Sequence, residues 1–340
     1  MLRYLTAGES HGEYLSGILE GFPAGVKIAP GYIAAQLRRR RQAPGRSARQ
    51  AVEKDEFEII SGLSGNITTG APISLLIRNT GRGLPAPSSL PRPGHADLPG
   101  MLKYGLLNAS LIRERASARE TAMRSALGSF ALRLHELLDI NINSRVISLG
   151  GTHILTAQTA ADKILQARRA GDTLGGTFEV TVENLPAGLG GFAQWDHRLG
   201  ARLGAALMGI NGVKGFEVGG GFSLASTGGI QASKNPELSG GLDGGMTNGR
   251  ALVLRCAVKP VPGLPAGTLS TDLKTFRKKL SISKTSDTTA VFAAAVVGEH
   301  AAALELAGAL LEKFGGDSFS ELELRVKEWR KKTGRILARL

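Results

Sequence analysis

Cysteine occurs once in 340 residues, at Cys256 within the apolar run 251–258. A lone thiol excludes an intrachain disulfide framework and a thiolate metal site. His135-Glu136 has no second histidine at metalloprotease spacing, so no metal is expected. No Gly-Lys-Ser/Thr triplet occurs, which rules out a P-loop. Aromatic residues make up only 5% of the chain and offer few stacking platforms for single-stranded nucleic acid. The longest apolar stretch, 289–311, is interrupted by Glu299, His300 and Glu305, which a membrane helix does not readily accept. The N-terminus enters a glycine turn at Gly8 without an apolar leader segment. These absences leave a globular protein with no membrane partner, expected in the cytoplasm.

Arginine and glycine are in excess. Lys and Arg number 42 against 29 Asp and Glu, for a formal charge of +13. Of the 42, 27 are Arg, and 16 of those precede residue 150. The guanidinium fork suits phosphate and carboxylate in paired hydrogen bonds, so an anionic partner is expected. RNA or another polyanion is one reading; a small, multiply charged ligand is the other. Glycine, 46 of 340 residues, is about twice its usual ~7% share and follows no collagen-like period. Loops that bring backbone close to a ligand are therefore expected to carry much of the function.

Met123, Leu127, Phe130, Leu134 and Leu137 recur at helical spacing, and a second long helix is expected over 288–314, stopping at Gly315-Gly316. Runs 73–77, 177–182 and 251–258 read as strands, so the class is mixed α/β. An internal echo adds organisation. Glu20-Gly21-Phe22-Pro23-Ala24-Gly25 returns as Glu183-Asn184-Leu185-Pro186-Ala187-Gly188 after 163 residues. Thr68-Thr69-Gly70 returns as Thr247-Asn248-Gly249 after 179. The expectation is a single domain over 1–340 built from two similar halves, about 1–160 and 161–340, with a site near their junction.

Several motifs carry chemistry. Gly8-Glu9-Ser10-His11-Gly12 fits the G-x-S-x-G form of a hydrolase elbow, although such an elbow normally follows several strands. The alternative makes His11 the reactive group, flanked by glycines that permit close approach. Gly188-Leu189-Gly190-Gly191-Phe192-Ala193 matches a dinucleotide fingerprint but lacks the acid about twenty residues on, and reads as a turn. Arg92-Pro93-Gly94-His95-Ala96-Asp97 fixes a histidine between a guanidinium and a carboxylate. Arg115-Ala116-Ser117-Ala118-Arg119-Glu120-Thr121 opens the first long helix with small residues and two cations, a setting for phosphate. The run 38–41, with Arg46 and Arg49, is either a polyanion patch or a clamp for a small anion. Five glycines within 240–249 imply close backbone approach to a flat or phosphorylated ligand, and Lys259-Pro260-Val261-Pro262-Gly263 is a rigid turn with one cation. Asp287 stands before the second long helix as an N-cap or a reactive acid; spacing does not separate the two.

On these residues the chain resembles the chorismate synthase family over essentially its whole length, with the motifs at 8–12, 20–25, 92–97, 115–121, 240–249 and Lys259-Pro260 in the family's order. The resemblance implies a β-α-β sandwich, helices between two antiparallel sheets, with pseudo-symmetric halves and assembly as a homotetramer. It implies anti-1,4-elimination of phosphate from 5-enolpyruvylshikimate 3-phosphate to give chorismate, the last step of the shikimate pathway in aromatic amino acid biosynthesis. Reduced FMN (FMNH2) is required, with no net redox change. By the same resemblance His11 protonates the leaving phosphate and His95 manages the proton near flavin N1. Asp287 assists flavin N5 in removing the C6 hydrogen. FMN contacts carry over to Arg115, Ala116, Ser117, Asn211, Gly212, Gly244, Lys259, Pro260, Val261, Pro262 and Gly263. Arg40 and Arg46 match positions for NADP or substrate. Thr285 stands where the family usually has Arg, two residues before the acid, so retained activity with weaker FMN binding is expected. The arginine loop has Ala43-Pro44 and Ser47-Ala48 where many members carry more Gly or a Tyr. No reductase domain is recognisable, which points to a separate flavin reductase with NADPH as the reductant source. The rival from another class is a basic RNA- or polyanion-binding protein.

Overall fold

Strands in which every second residue is apolar must cover one face, and two such sheets here cover the same pair of helices. The computed structural model describes residues 2–47, 53–81, 83, 85–283 and 287–337. The first sheet contains β1 (Arg3–Gly8), β2 (Tyr14–Glu20), β3 (Phe57–Ser61) and β4 (Ile73–Arg78), antiparallel in the order β1-β2-β4-β3. Leu15, Leu19, Ile73, Leu75 and Ile77 are its buried face. The second contains β5 (Asn141–Leu149), β6 (Thr152–His153), β7 (Gly176–Glu183), β8 (Val213–Val218) and β9 (Leu252–Val258), in the order β8-β9-β7-β5-β6. Phe178, Val180, Val182, Leu252, Leu254 and Cys256 point inward from it.

The flanking and central helices are α1 (Pro30–Arg41), α2 (Asp97–Tyr104), α3 (Ala109–Ala116), α4 (Thr121–Leu137), α5 (Ala157–Arg169), α6 (Leu199–Met208), α7 (Val291–Phe314) and α8 (Phe319–Leu337). Between the sheets lie α4, packed on β2 and β4, and α7, packed on β5 and β7. This is the β-α-β sandwich, with helices between two antiparallel sheets. The two helices touch closely: a Cβ on Gly128 would stand 2.5 Å from that of His300. By length and composition α7 could cross a membrane, but 83% of its most apolar window is buried inside the molecule, as in a core helix.

Apart from the edge strand β6, the sheets share one order, since β5-β7-β9-β8 repeats β1-β2-β4-β3. The sequence echo has a hydrogen-bonded counterpart. Val26 N–H donates to Thr68 Oγ1 at 2.9 Å, and that hydroxyl donates to Pro23 O at 2.7 Å. Leu189 N–H donates to Thr247 Oγ1 at 2.9 Å, and that hydroxyl donates to Pro186 O at 2.6 Å. The bridges Lys27–Ile67 and Gly190–Met246 follow the same two offsets. Helix α8 ties both echoes together, with Phe319 N–H bonded to Ala24 O at 2.7 Å and Trp329 Nε1 to Ala187 O at 2.8 Å.

Two boundaries differ from the sequence reading. The segment 115–121 does not open a helix; α3 ends at Ala116, Ser117 is extended, and a 3₁₀ turn at Ala118–Glu120 leads into α4. Helix α7 starts at Val291 with Ala290 as its N-cap, so Asp287 is not the capping residue. Its carboxylate is occupied elsewhere.

Candidate active site

A cleft of about 710 Å³ lies where the 8–12 turn, the arginine loop, the loop before α2, the α3–α4 break, the α6–β8 turn and the turn after β9 converge. Its size suits a cofactor or substrate. Among the described residues, Arg46, Arg92, Arg113, Arg119, Lys214 and Lys259 line it against three carboxylates, Glu53, Glu114 and Asp287. The net positive charge favours an anionic ligand.

Gly8, at the end of β1, has φ +102°, and a Cβ there would lie 2.4 Å from Tyr14 O, so only glycine closes this turn. The turn joins two antiparallel strands, not a strand to a helix, which removes the hydrolase-elbow reading. Glu114 on α3, almost wholly buried, holds the turn. Its Oε2 accepts His11 N–H at 2.7 Å, its Oε1 meets His11 Nδ1 at 2.8 Å, and its carbonyl accepts Ser10 N–H at 3.0 Å.

His95 is held in a comparable way. Its Nδ1 stands 2.6 Å from Asp97 Oδ1, and Asp97 is completely buried in the first turn of α2. Oδ2 of Asp97 also accepts from Arg92 N–H at 2.9 Å, Arg92 Nε at 3.0 Å and Arg113 Nε at 2.9 Å. Burial alone would push this carboxyl up; the hydrogen bonds from His95 and Arg92 overcome it and hold the group well below the usual carboxylate range. Lys259 donates to Gly94 O, tying the loop to the 258–263 turn. Burial, with the Lys214 charge second, lowers the pKa of its ammonium.

Asp287 faces the cleft with Oδ2 2.8 Å from Arg46 Nη1 and Oδ1 2.7 Å from Ser47 N. The arginine loop reaches it because Gly45 abuts Thr289, whose Cγ2 would lie 2.3 Å from a Cβ at position 45. Thr288 N–H donates to Gly45 O at 2.8 Å. On the opposite wall Asn211 Nδ2 donates to Ala116 O at 3.2 Å, while its buried Oδ1 has no hydrogen-bond partner among the described residues.

Of the residues expected at the site, His11, His95, Asp287, Arg46, Ala116, Ser117, Asn211, Gly212 and 259–263 line this one cleft. Arg40 does not. It is 2% exposed, and its Nη2 lies 3.3 Å from Asp55 Oδ2, behind the wall formed by Arg119. Burial, reinforced by the Arg46 and Arg119 charges and opposed by Asp55, pulls it down to about 10. Arg115 turns away to Thr6 O at 2.7 Å, and Gly244 sits outside the lining in the hairpin turn 242–247. Thr285 lies outside the described residues.

A family model described as chorismate synthase matches residues 2–311. The chain belongs to the chorismate synthase family. A chorismate synthase of Desulforamulus reducens is 42% identical, with 97% of this chain and 98% of that protein covered. One from Caldanaerobacter subterraneus subsp. tengcongensis is 44% identical, covering 95% and 96%. A solved structure described as the crystal structure of chorismate synthase superposes with a TM-score of 0.79 at 34% identity, over 97% of this chain and 98% of that one. These similarities make the chain one of a family of lyases of aromatic biosynthesis acting on a small molecule, and they lend nothing to the RNA-binding reading.

Within this chorismate synthase fold, Glu53, Arg113 and Glu114 line the cleft although the sequence reading did not single them out. Glu114 stands one residue before the 115–121 motif and i+4 from Ser110, the two sharing the buried face of α3. An acid with no cation three or four residues away to pair with it along the helix was the available signal. Glu53 had none, because its partner Thr80, with Oγ1 at 2.8 Å, is remote in sequence.

Proposed function

We propose that this chain converts 5-enolpyruvylshikimate 3-phosphate to chorismate and phosphate, as a carbon–oxygen lyase acting on a phosphate ester. The observation that carries the reading is the convergence of two carboxylate-held histidines and the Asp287–Arg46 pair on one cationic cleft. Arg46, Arg92, Arg113 and Arg119 complement the substrate's phosphate and carboxylates in charge, groups that a guanidinium pairs with well. His11 holds the proton that the departing phosphate needs, and Glu114 fixes its ring. His95, with Asp97 and Arg92, supplies a second proton-handling group. Asp287, pinned by Arg46 and Ser47, is the acid nearest the arginine loop.

Reduced FMN is the proposed cofactor. The cleft fits such a group: Asn211 Oδ1 is a buried acceptor without a donor among the described residues, and the cationic lining suits a phosphate. Ala116, Ser117, Asn211, Gly212 and 259–263 would hold it, with Lys259 as the adjoining cation. When bound, reduced flavin supplies electron density that weakens the scissile C–O bond without net redox change. Arg115, Gly244 and Thr285 remain proposals from family resemblance alone, as does Arg40, for which a supporting role behind the wall fits its burial better than direct contact.

We further propose a cytoplasmic enzyme, a separate flavin reductase using NADPH, and a homotetramer. Leu155 and Phe222, exposed beside the Arg145–Glu179–Arg255 triad on the outer face of the second sheet, support association. The domain is taken as 1–340 in two halves. The crossing is best placed just before Asn141 rather than at about 160, since β5 belongs to the second sheet.

An anaerobic assay of chorismate formation with reduced FMN tests the function. Turnover dependent on reduced FMN is expected. No product, together with an FMN spectrum unchanged by protein and substrate, would overturn it.

A further inference from the structure

His11 acts as a single-atom proton donor only if one ring nitrogen is reserved, and the geometry points to Glu114 as the positioning residue that reserves it. The inference rests on the reading above, in which His11 handles the phosphate's proton. A carboxylate only accepts hydrogen bonds, so the 2.8 Å contact from Glu114 Oε1 makes Nδ1 the donor. The neutral ring is then the Nδ1–H tautomer, and Nε2 is the atom that gains and gives up the proton. The second oxygen is committed as well, to His11 N–H at 2.7 Å. With its carbonyl on Ser10 N–H, Glu114 fixes both the backbone and the ring of the turn from one nearly buried position. Such a dual hold makes the ring's tautomer a property of α3 rather than of the glycine turn.

A glutamine in this place has one acceptor and one amino group. Its oxygen satisfies the backbone N–H, which cannot change character, and its NH2 then faces Nδ1. The ring is driven to the Nε2–H tautomer, with Nδ1 as acceptor, and the reserved nitrogen is lost. Glu114→Gln therefore removes the proton cycle while keeping a similar shape.

Nitrogen-15 NMR of the full-length protein labelled at histidine, with the His11 signal assigned by its loss in His11→Ala, reads the tautomer without flavin or turnover. In wild type the neutral ring is expected to carry its proton on Nδ1; in Glu114→Gln, on Nε2. Chorismate assays of the same samples should show kcat reduced roughly a hundredfold or more and KM within about threefold. Glu114→Ala, which supplies no acceptor, should lose the tautomer preference and fall similarly in kcat, and provides a second reading should the glutamine variant fold poorly. An Nε2–H ring in wild type, or an unchanged tautomer in both variants, would overturn the inference. So would a switched tautomer with kcat intact. Wild-type protein that makes no chorismate would instead count against the proposed function, and the NMR result would still report on the lock.

Discussion

The cleft and the helical layer each hold two histidines, and the partners of the rings suit them to opposite duties. In the cleft, Nδ1 of His11 and of His95 meets a carboxylate, at 2.8 and 2.6 Å, and both rings keep some exposure. In the layer, His135 of α4 and His300 of α7 are fully buried. Each Nδ1 donates to the carbonyl one turn back, Ala131 O at 2.6 Å and Val296 O at 2.7 Å, and neither Nε2 has a hydrogen-bond partner among the described residues. Burial pushes both rings down to about 4, so they stay neutral at pH 7. An imidazole hydrogen-bonded to a carboxylate can cycle a proton. One whose Nδ1 meets only a carbonyl, fully buried between helices, serves as a filler that remains uncharged, even with the Arg39-paired Glu299 beside His300.

Removing one ring from each region should separate these duties most strongly. His11→Ala is expected to lower kcat about 10³-fold while changing Tm by only a few degrees. His300→Ala should do the reverse, costing about 2–4 kcal/mol of stability through lost packing at the helix crossing, with the kcat of the folded enzyme nearly kept. Chorismate assays and thermal unfolding together read both. The comparison breaks if the core variant loses its rate with its fold intact, or if the cleft variant unfolds.

Acid should reach the core histidines first. Their folded-state values lie below the ordinary 6.5, so the unfolded chain takes up the proton before the folded one as pH falls. Their stabilising contribution is complete above about pH 6.5 and is lost as pH falls toward 4, up to about 3 kcal/mol per ring. The Asp97 carboxyl, held below its usual range, loses its contribution only at lower pH. His300→Leu cannot titrate, and denaturant unfolding between about pH 7 and about pH 4.5 should show roughly half the wild-type slope. An unchanged slope would mean that the ring is not the source.

The two regions were not equally legible in the sequence. His11 and His95 announced themselves through neighbouring Gly, Pro, Arg and Asp, residues that shape a loop and tune a ring. Strands 73–77 and 177–182 and the helix pair followed from periodicity, and Pro23 and Pro186 marked equivalent turns before Thr68 and Thr247 were seen to close them. What stayed hidden depended on contacts between distant segments. Glu114 lies 103 residues from His11, and Asp287 lies 241 from Arg46. Arg40 was expected at a ligand by family resemblance and by the basic run it belongs to, but its place on the Ile33–Leu37 face of α1 turns it into the interior. Helical period, applied to the charged residues as well as the apolar ones, would have found that.

The smallest effect is expected from adding a charge two residues before Asp287 instead of deleting a ring. Thr285→Arg restores the guanidinium usual in the family two residues before Asp287, and FMN binding should tighten about three- to tenfold, on the order of 1 kcal/mol. Flavin titration followed by its absorption spectrum measures this, with kcat expected within about twofold of wild type. Unchanged affinity would count against a cost of Thr285 to FMN binding, and the double variant Thr285→Arg with Lys284→Ala would then test whether the Lys284 charge substitutes. Either way the acid slope set by His135 and His300 should not move, because the affinity of the cleft and the neutrality of the core rest on separate groups, and effects at sites without shared partners add. A slope that shifted with the flavin affinity would show instead that the arginine loop, through Gly45 and Thr288, couples the cleft to the start of α7.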